Sequence, residues 1–129
     1  MTGGGCLCEA VRFRVDADLR DPIACHCKQC RQQSGHFFSA VAAPKTAVSF
    51  ERDEGLCWYR HTDIATRGFC RRCGSTLFWR GDEGPDVMVA MGALDETGGL
   101  KLSGHYWVDF MGDYYDIDDG LPQHEGMET

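Results

Sequence analysis

Apolar and polar residues alternate along Val11-Arg12-Phe13-Arg14-Val15, the period-two pattern of a strand with one face in a core and the other in water. The same reading predicts strands at Phe37 to Ala42, Val48 to Glu51, Leu56 to Arg60, Thr76 to Trp79, Val87 to Met91 and His105 to Phe110, separated by turns rich in Gly, Pro and Asp. Only Lys28 to Gln33 predicts a helix, of one or two turns. No repeat, low-complexity stretch or dividing linker interrupts the pattern, so one mainly β domain over residues 1–129 is expected.

Composition changes this picture little. Hydrophobic residues make up 43% and charged residues 26%, as in ordinary globular proteins, and no apolar run approaches the ~20 residues of a membrane span. A soluble protein with no membrane partner is expected. Charge is less evenly spread than the net value of -7 implies. From Asp109 onward there are seven acidic residues (Asp109, Asp113, Asp116, Asp118, Asp119, Glu125, Glu128) and no Lys or Arg, which leaves the remainder balanced. Such a chain lacks the basic face that a nucleic-acid partner requires. Lys28 and Arg31 interleave with one group of cysteines, while Arg67, Arg71 and Arg72 flank another. Cations so placed offset the charge of thiolates and are suited to receive carboxylates of a small anionic ligand.

Seven of the eight cysteines fall in three clusters, Cys6-x-Cys8, Cys25-x-Cys27-x-x-Cys30 and Cys70-x-x-Cys73. A disulfide framework is the competing reading. It is disfavoured because cysteines one residue apart are poorly placed to bridge each other. The chain also opens Met1-Thr2-Gly3-Gly4-Gly5 without a secretory h-region, so a reducing cytoplasmic compartment is expected. A closed structural zinc site takes four ligands, whereas a catalytic one keeps three and an open position. Two partitions are available. Cys27, Cys30, Cys70 and Cys73 would make a zinc ribbon and strand Cys6, Cys8 and Cys25; joining Cys6 and Cys8 to Cys70 and Cys73 leaves Cys25, Cys27 and Cys30 as a compact three-ligand set, and no stray. Spacing favours the second. Gly74, directly after Cys73, suits a tight metal knuckle that needs positive φ.

Gly4-Gly5-Cys6-Leu7-Cys8 with Ala10-Val11-Arg12-Phe13, then Cys25-His26-Cys27-Lys28-Gln29-Cys30-Arg31 with Ser34-Gly35, then Gly68-Phe69-Cys70-Arg71-Arg72-Cys73-Gly74-Ser75 with Leu77, resemble the glutathione-dependent formaldehyde-activating enzyme (GFA, CENP-V/GFA) family. Gly92-Ala93-Leu94-Asp95, His105-Tyr106-Trp107-Val108 and Gly120-Leu121-Pro122-Gln123 continue the resemblance, which covers essentially the whole chain. It implies an Mss4-like, zinc-bound, mainly antiparallel β fold with little helix. It further implies two zinc ions, a structural one on Cys6, Cys8, Cys70 and Cys73 and a catalytic one on Cys25, Cys27 and Cys30. The implied activity is a carbon-sulfur lyase step on S-hydroxymethylglutathione, joining or separating glutathione (or another small thiol) and formaldehyde (or another small aldehyde). Glu9 departs from the family, which commonly has glycine after the first Cys-x-Cys.

Other residues carry less. His26, between two ligands, is placed to shuttle a proton, but in a tight loop it is expected to point away from a metal. His36 either lines the pocket or sits in a solvated turn, His105 reads as a structural histidine, and Cys57 as a small core residue. Trp58, Trp79 and Trp107 read as core or interface aromatics. Two rival functions have the same fold: a non-catalytic Mss4-like zinc module for thiol carriage or protein interaction, and a B-type methionine sulfoxide reductase, which needs a reactive cysteine that Cys57 lacks the context to supply.

Overall fold

The structure is a computed structural model that describes residues 1–126; Glu128 of the acidic segment lies outside the described residues. Its strands are β1 (Thr2–Gly5), β2 (Arg12–Val15), β3 (Ile23–Cys25), β4 (Phe38–Pro44), β5 (Val48–Arg52), β6 (Leu56–Tyr59), β7 (Ala65–Cys70), β8 (Thr76–Gly81), β9 (Asp86–Ala90) and β10 (His105–Tyr106), with one α-helix, α1 (Lys28–Ser34). Strands β1, β2 and β5 form a small sheet, and a seven-stranded sheet runs β10-β3-β4-β9-β8-β7-β6. Every pairing between named strands is antiparallel except β10 with β3. The mainly β expectation is met, with one parallel pair added.

Register across the large sheet separates its two faces. Val41 pairs with Val89, Val89 with Phe78, Phe78 with Gly68 and Gly68 with Trp58. This row packs with Phe13 and Val15 of the small sheet into the main core, where Phe13 meets Phe78 edge-on at 5.0 Å and Trp58 stacks on Phe78 at 5.7 Å. Side chains alternate between the faces of a strand, so the intervening positions belong to the other face. There Ile23 pairs with Ala40, Cys25 with Phe38, Met88 with Trp79 and Trp79 with Arg67. The central strands are therefore apolar on both faces, so Ala40-Val41-Ala42-Ala43 and Val87-Met88-Val89-Ala90 do not alternate with polar residues, although Ala42 itself is exposed.

The sequence-based expectation for His105 to Phe110 fails after two residues. Trp107 takes the left-handed conformation (φ 58°, ψ 39°), which ends β10 and starts a 3-10 turn over Val108–Phe110. Such a backbone costs of order 1–3 kcal/mol for a bulky residue, so the surroundings must enforce it. Three strands escape the sequence reading. β1 is nearly all glycine, yet a side chain at Gly4 would meet the Phe13 ring at 2.5 Å and the Ala93 carbonyl oxygen at 2.6 Å, so close sheet packing demands it. β3 is too short to show a period, and β7 alternates between two buried environments. Cys57 is half-buried on edge strand β6 and stands outside both apolar clusters, where the sequence reading has it in the core.

Candidate metal centres and the adjoining pocket

Cys6, Cys8, Cys70 and Cys73 converge with all four sulfurs within 4.8 Å of one another. The Cys6 to Cys8 and Cys8 to Cys70 sulfur distances are 3.8 and 3.7 Å. A zinc-sulfur bond of ~2.3 Å gives a tetrahedron with edges of about 3.8 Å, so the donor set fits this metal. Local structure holds it open for one. The Val11 N–H donates to Cys6 Sγ at 3.2 Å. Leu7 N–H reaches across to Ser75 Oγ at 3.0 Å, and Ser75 Oγ lies 3.2 Å from Cys73 Sγ. Gly74 has the expected positive φ (79°) and donates to the Cys70 carbonyl at 2.7 Å, closing the second knuckle. Glu9, where the resemblance leads one to expect glycine, also takes the left-handed conformation (φ 65°), at a cost of about 1–2 kcal/mol in backbone strain. Cys73 is drawn down to about 5, chiefly by the Ser75 hydroxyl. Cys70 also lies below the usual thiol range, because hydrogen bonds from the Cys73 and Arg72 N–H groups outweigh its burial.

Cys25, Cys27 and Cys30 form the second group, again within 4.8 Å. The partition into a ribbon that pairs Cys27 and Cys30 with Cys70 and Cys73 does not form. Cys25 ends β3, Cys27 caps α1 by accepting from the Cys30 N–H at 3.4 Å, and Cys30 lies one turn in, 4% exposed. Cys27 is held far below the ordinary thiol range: Cys25 and Cys30 donate to its sulfur, and the Cys30 N–H and the charge of Arg67 add to this. Cys25 is pushed up by sharing those bonds, with burial acting in the same sense. Three thiols converging within 4.8 Å are a donor set suited to a cation.

Arg67 is the surprise at this site. Its place three residues before Cys70 reads as a flank of the third cluster, but β7 carries it to the opposite face of the sheet. Only 6% exposed, it donates to Gln33 Oε1 and Gln29 Oε1, both at 3.0 Å, and its terminal nitrogens lie 3.8 and 3.9 Å from Cys30 Sγ. Arg71 is exposed and donates to the Glu54 carbonyl, and Arg31 leaves a buried Nε without a partner. Arg67 is thus the cation that offsets the second thiol group. Replacing it with methionine is expected to weaken metal binding at Cys25, Cys27 and Cys30 about 10- to 100-fold, the usual effect of removing a group that supports a ligand. Competition with a chromophoric chelator measures this, with Arg71→Met as the control; unchanged affinity in the Arg67 variant would refute the assignment.

Neither ring nitrogen of His26 turns toward a thiol. Nδ1 bonds the Tyr115 hydroxyl, Nε2 lies 2.8 Å from His105 Nδ1, and His105 Nε2 lies 2.8 Å from Asp119 Oδ2. His26 is fully buried and pushed down to about 4, chiefly by that burial, with the nearby His105 and His36 adding. Tyr115 is pushed up, mainly by burial. The chain of four ties the irregular segment after Gly112 to the loop between two thiols, so His26 fixes the loop and His105 is structural as expected. Sequence reasoning missed Tyr115 and Asp119, whose only signal was their place in an acidic, aromatic tail. His36 is exposed and lies tilted against Phe37, ring centroids 4.5 Å apart, in a surface turn outside the pocket lining.

A pocket of about 520 Å³ opens directly over the three thiols. Ile23, Phe38, Ala40, Trp79 and Met88 of the large sheet form one wall. Ile64, Trp107 and Phe110 complete it from loops. Arg60 fixes the Ile64 loop by a two-point ion pair with Asp82 at 2.8 and 2.9 Å, and Asp82 N–H donates to the Ile64 carbonyl. Trp79 and Trp107 are therefore pocket aromatics, and Trp58 alone packs on the main core, with Arg80 over its ring at 4.0 Å. No helix among the described residues is long and apolar enough to cross a membrane.

Comparison with known proteins accords with this geometry. An uncharacterized lyase of Schizosaccharomyces pombe is 32% identical over 77 residues, a match that covers 59% of this chain and 55% of that protein, little more than half its length. A crystal structure of a Rhodobacter sphaeroides protein superposes with a TM-score of 0.63 at 25% identity, covering 78% of this chain and 99% of the other. The model of the glutathione-dependent formaldehyde-activating enzyme family matches residues 1–109, a span that contains both cysteine groups and Arg67. By that match over most of its length, the chain belongs to the glutathione-dependent formaldehyde-activating enzyme family.

Proposed function

We propose that this protein is a zinc-dependent carbon-sulfur lyase acting on the adduct of a small thiol with an aldehyde, S-hydroxymethylglutathione being the example that the family name implies. The observation that carries the reading is the group Cys25, Cys27 and Cys30 at the floor of a 520 Å³ pocket. A scaffold has no use for an incompletely ligated metal facing a cavity. In this reading Cys6, Cys8, Cys70 and Cys73 hold a structural zinc and Cys25, Cys27 and Cys30 a catalytic one. Zinc at a three-thiolate site supplies Lewis acidity and an open position that favours the thiolate form of an incoming sulfur.

The chain's own residues do the rest. Arg67, its head fixed by Gln29 and Gln33, opposes the negative charge that gathers at Cys30. Phe38, Trp79 and Met88 keep water from the reacting carbon and strengthen that interaction. The bond that breaks is between carbon and sulfur; the hydroxyl proton of the adduct leaves with the sulfur as a thiol, and the aldehyde carbonyl forms. No electrons are exchanged with a third partner. Zinc-loaded protein is expected to speed the interconversion of glutathione and formaldehyde with their adduct, followed by NMR, and to lose this activity on treatment with a chelator. Fully loaded protein that binds thiols but leaves exchange at the uncatalysed rate would show that the site only carries thiols.

A further inference from the structure

The pocket is a poor match for glutathione itself. Two carboxylates and an ammonium need counter-charges when they leave water. The lining offers Lys28 and Arg67 as cations and no acidic residue for an ammonium, and both terminal nitrogens of Arg67 already donate to Gln29 and Gln33. Formaldehyde, with a single carbon, would leave most of 520 Å³ empty. What the walls do offer is an apolar, partly aromatic surface.

That surface has been arranged at some cost. Ile64 and Phe110 remain 66% and 54% exposed at the rim, though large apolar residues normally gain by burial. Trp107 holds a left-handed backbone that starts the turn carrying Phe110, and both line the pocket. Strain and exposed apolar area that converge on one cavity mark a binding surface.

We infer that the adduct this protein cleaves carries a bulky apolar substituent, an aromatic ring or branched alkyl group, which lies against Trp79, Met88 and Phe110 while its sulfur faces Cys25, Cys27 and Cys30. The inference rests on the lyase reading above. The substituent enters either on the aldehyde carbon or on the thiol, and the reaction stays balanced: the carbon-sulfur bond breaks, the hydroxyl proton passes to sulfur, and an apolar aldehyde or an apolar thiol departs.

Two readouts test it on zinc-loaded full-length protein. In calorimetry, phenylmethanethiol and glutathione each bring one thiol, so their difference reports the substituent; phenylmethanethiol is expected to bind at least about tenfold more tightly, the discrimination that modest apolar burial supports. Phe110→Ala and Ile64→Ala, both at exposed rim positions, are expected to erase that advantage by weakening phenylmethanethiol binding more than glutathione binding. Exchange followed by NMR separates the sources: benzaldehyde with 2-mercaptoethanol places the ring on the aldehyde, formaldehyde with phenylmethanethiol places it on the thiol, and at least one pair is expected to turn over about tenfold faster than formaldehyde with glutathione. Equal or tighter binding of glutathione, or fastest turnover of its formaldehyde adduct, overturns the apolar substituent and leaves the lyase reading intact. Tight binding of phenylmethanethiol with no exchange in any pair supports the apolar pocket and overturns the lyase reading.

Discussion

A Cys70→Ser chain is expected to lose both a metal and its cooperative fold. Cys70 is completely buried at the end of β7, and its sulfur lies 3.7 Å from that of Cys8, a residue 62 positions away. The four-thiol group joins the loop between the first two strands to the knuckle between β7 and β8; Leu7 to Ser75 also joins them directly, and Gly55 of the β5–β6 turn links them indirectly through its bonds to Ala10 and Arg71. Structural zinc in small domains binds with an apparent ~10–16 kcal/mol at neutral pH, and that energy is folding energy. A chain of this size has a net stability of only ~5–15 kcal/mol. Loss of even half of the metal's contribution therefore removes most of the stability. The expected readout is a flat near-ultraviolet circular dichroism spectrum, no sharp thermal transition, and metal content reduced by at least one equivalent. A variant lacking that metal that still melted cooperatively at the parent midpoint would show that the four cysteines do not support the fold.

How far these relations are visible in the sequence depends on how local they are. The three cysteine clusters are visible because metal ligands supplied from a knuckle or a loop must be close in sequence, and Gly74 because its knuckle needs positive φ. β2 is visible because Phe13 and Val15 face the core while Arg14 faces solvent, which imprints a period of two. The same rule hides β7. In Ala-Thr-Arg-Gly-Phe-Cys, Gly68 faces the Trp58 and Phe78 stack and Arg67 faces the thiols, so both faces are covered and no alternation survives.

Arg67 shows the deeper difficulty. Sequence proximity pairs it with Cys70, but two adjacent residues of a strand point to opposite sides, and three steps along β7 exchange one metal group for the other. Its partners Gln29, Cys30 and Gln33 are more than thirty residues away, brought close by the packing of α1 on the sheet. The Tyr115, His26, His105 and Asp119 chain is equally non-local, assembled from a loop, a two-residue strand and an irregular tail. The pocket is one step further removed. It is the second face of the large sheet, visible only once register assigns Cys25, Phe38, Met88, Trp79 and Arg67 to one side.

The counterpart of the first prediction is a change that removes the other metal and spares the fold. Cys27→Ser is suited to this because Cys27 is the N-cap of α1, with an extended backbone (φ -63°, ψ 161°) and a side chain that accepts from the Cys30 N–H. Serine is a preferred N-cap and keeps that bond, so the helix survives the substitution. Cys25 and Cys30 remain, but two thiols make a weak site, and the hydroxyl that replaces the third does not ionise at neutral pH. The main core gains or loses nothing, because Cys27 packs only on the smaller cluster around Cys30, Phe38, Ala40 and Ala90. The variant is therefore expected to keep its thermal midpoint within a few degrees, bind one equivalent of metal where the parent binds two, and lose exchange activity by at least about a hundredfold, as enzymes do when a group at the reacting centre is removed. The pair of variants then separates the functions this fold allows. An interaction scaffold or a B-type methionine sulfoxide reductase would hold one metal before and after Cys27→Ser, whereas a lyase working at Cys25, Cys27 and Cys30 loses its second metal and its activity together. Retained exchange in a one-metal Cys27→Ser protein would place the chemistry somewhere other than these three thiols.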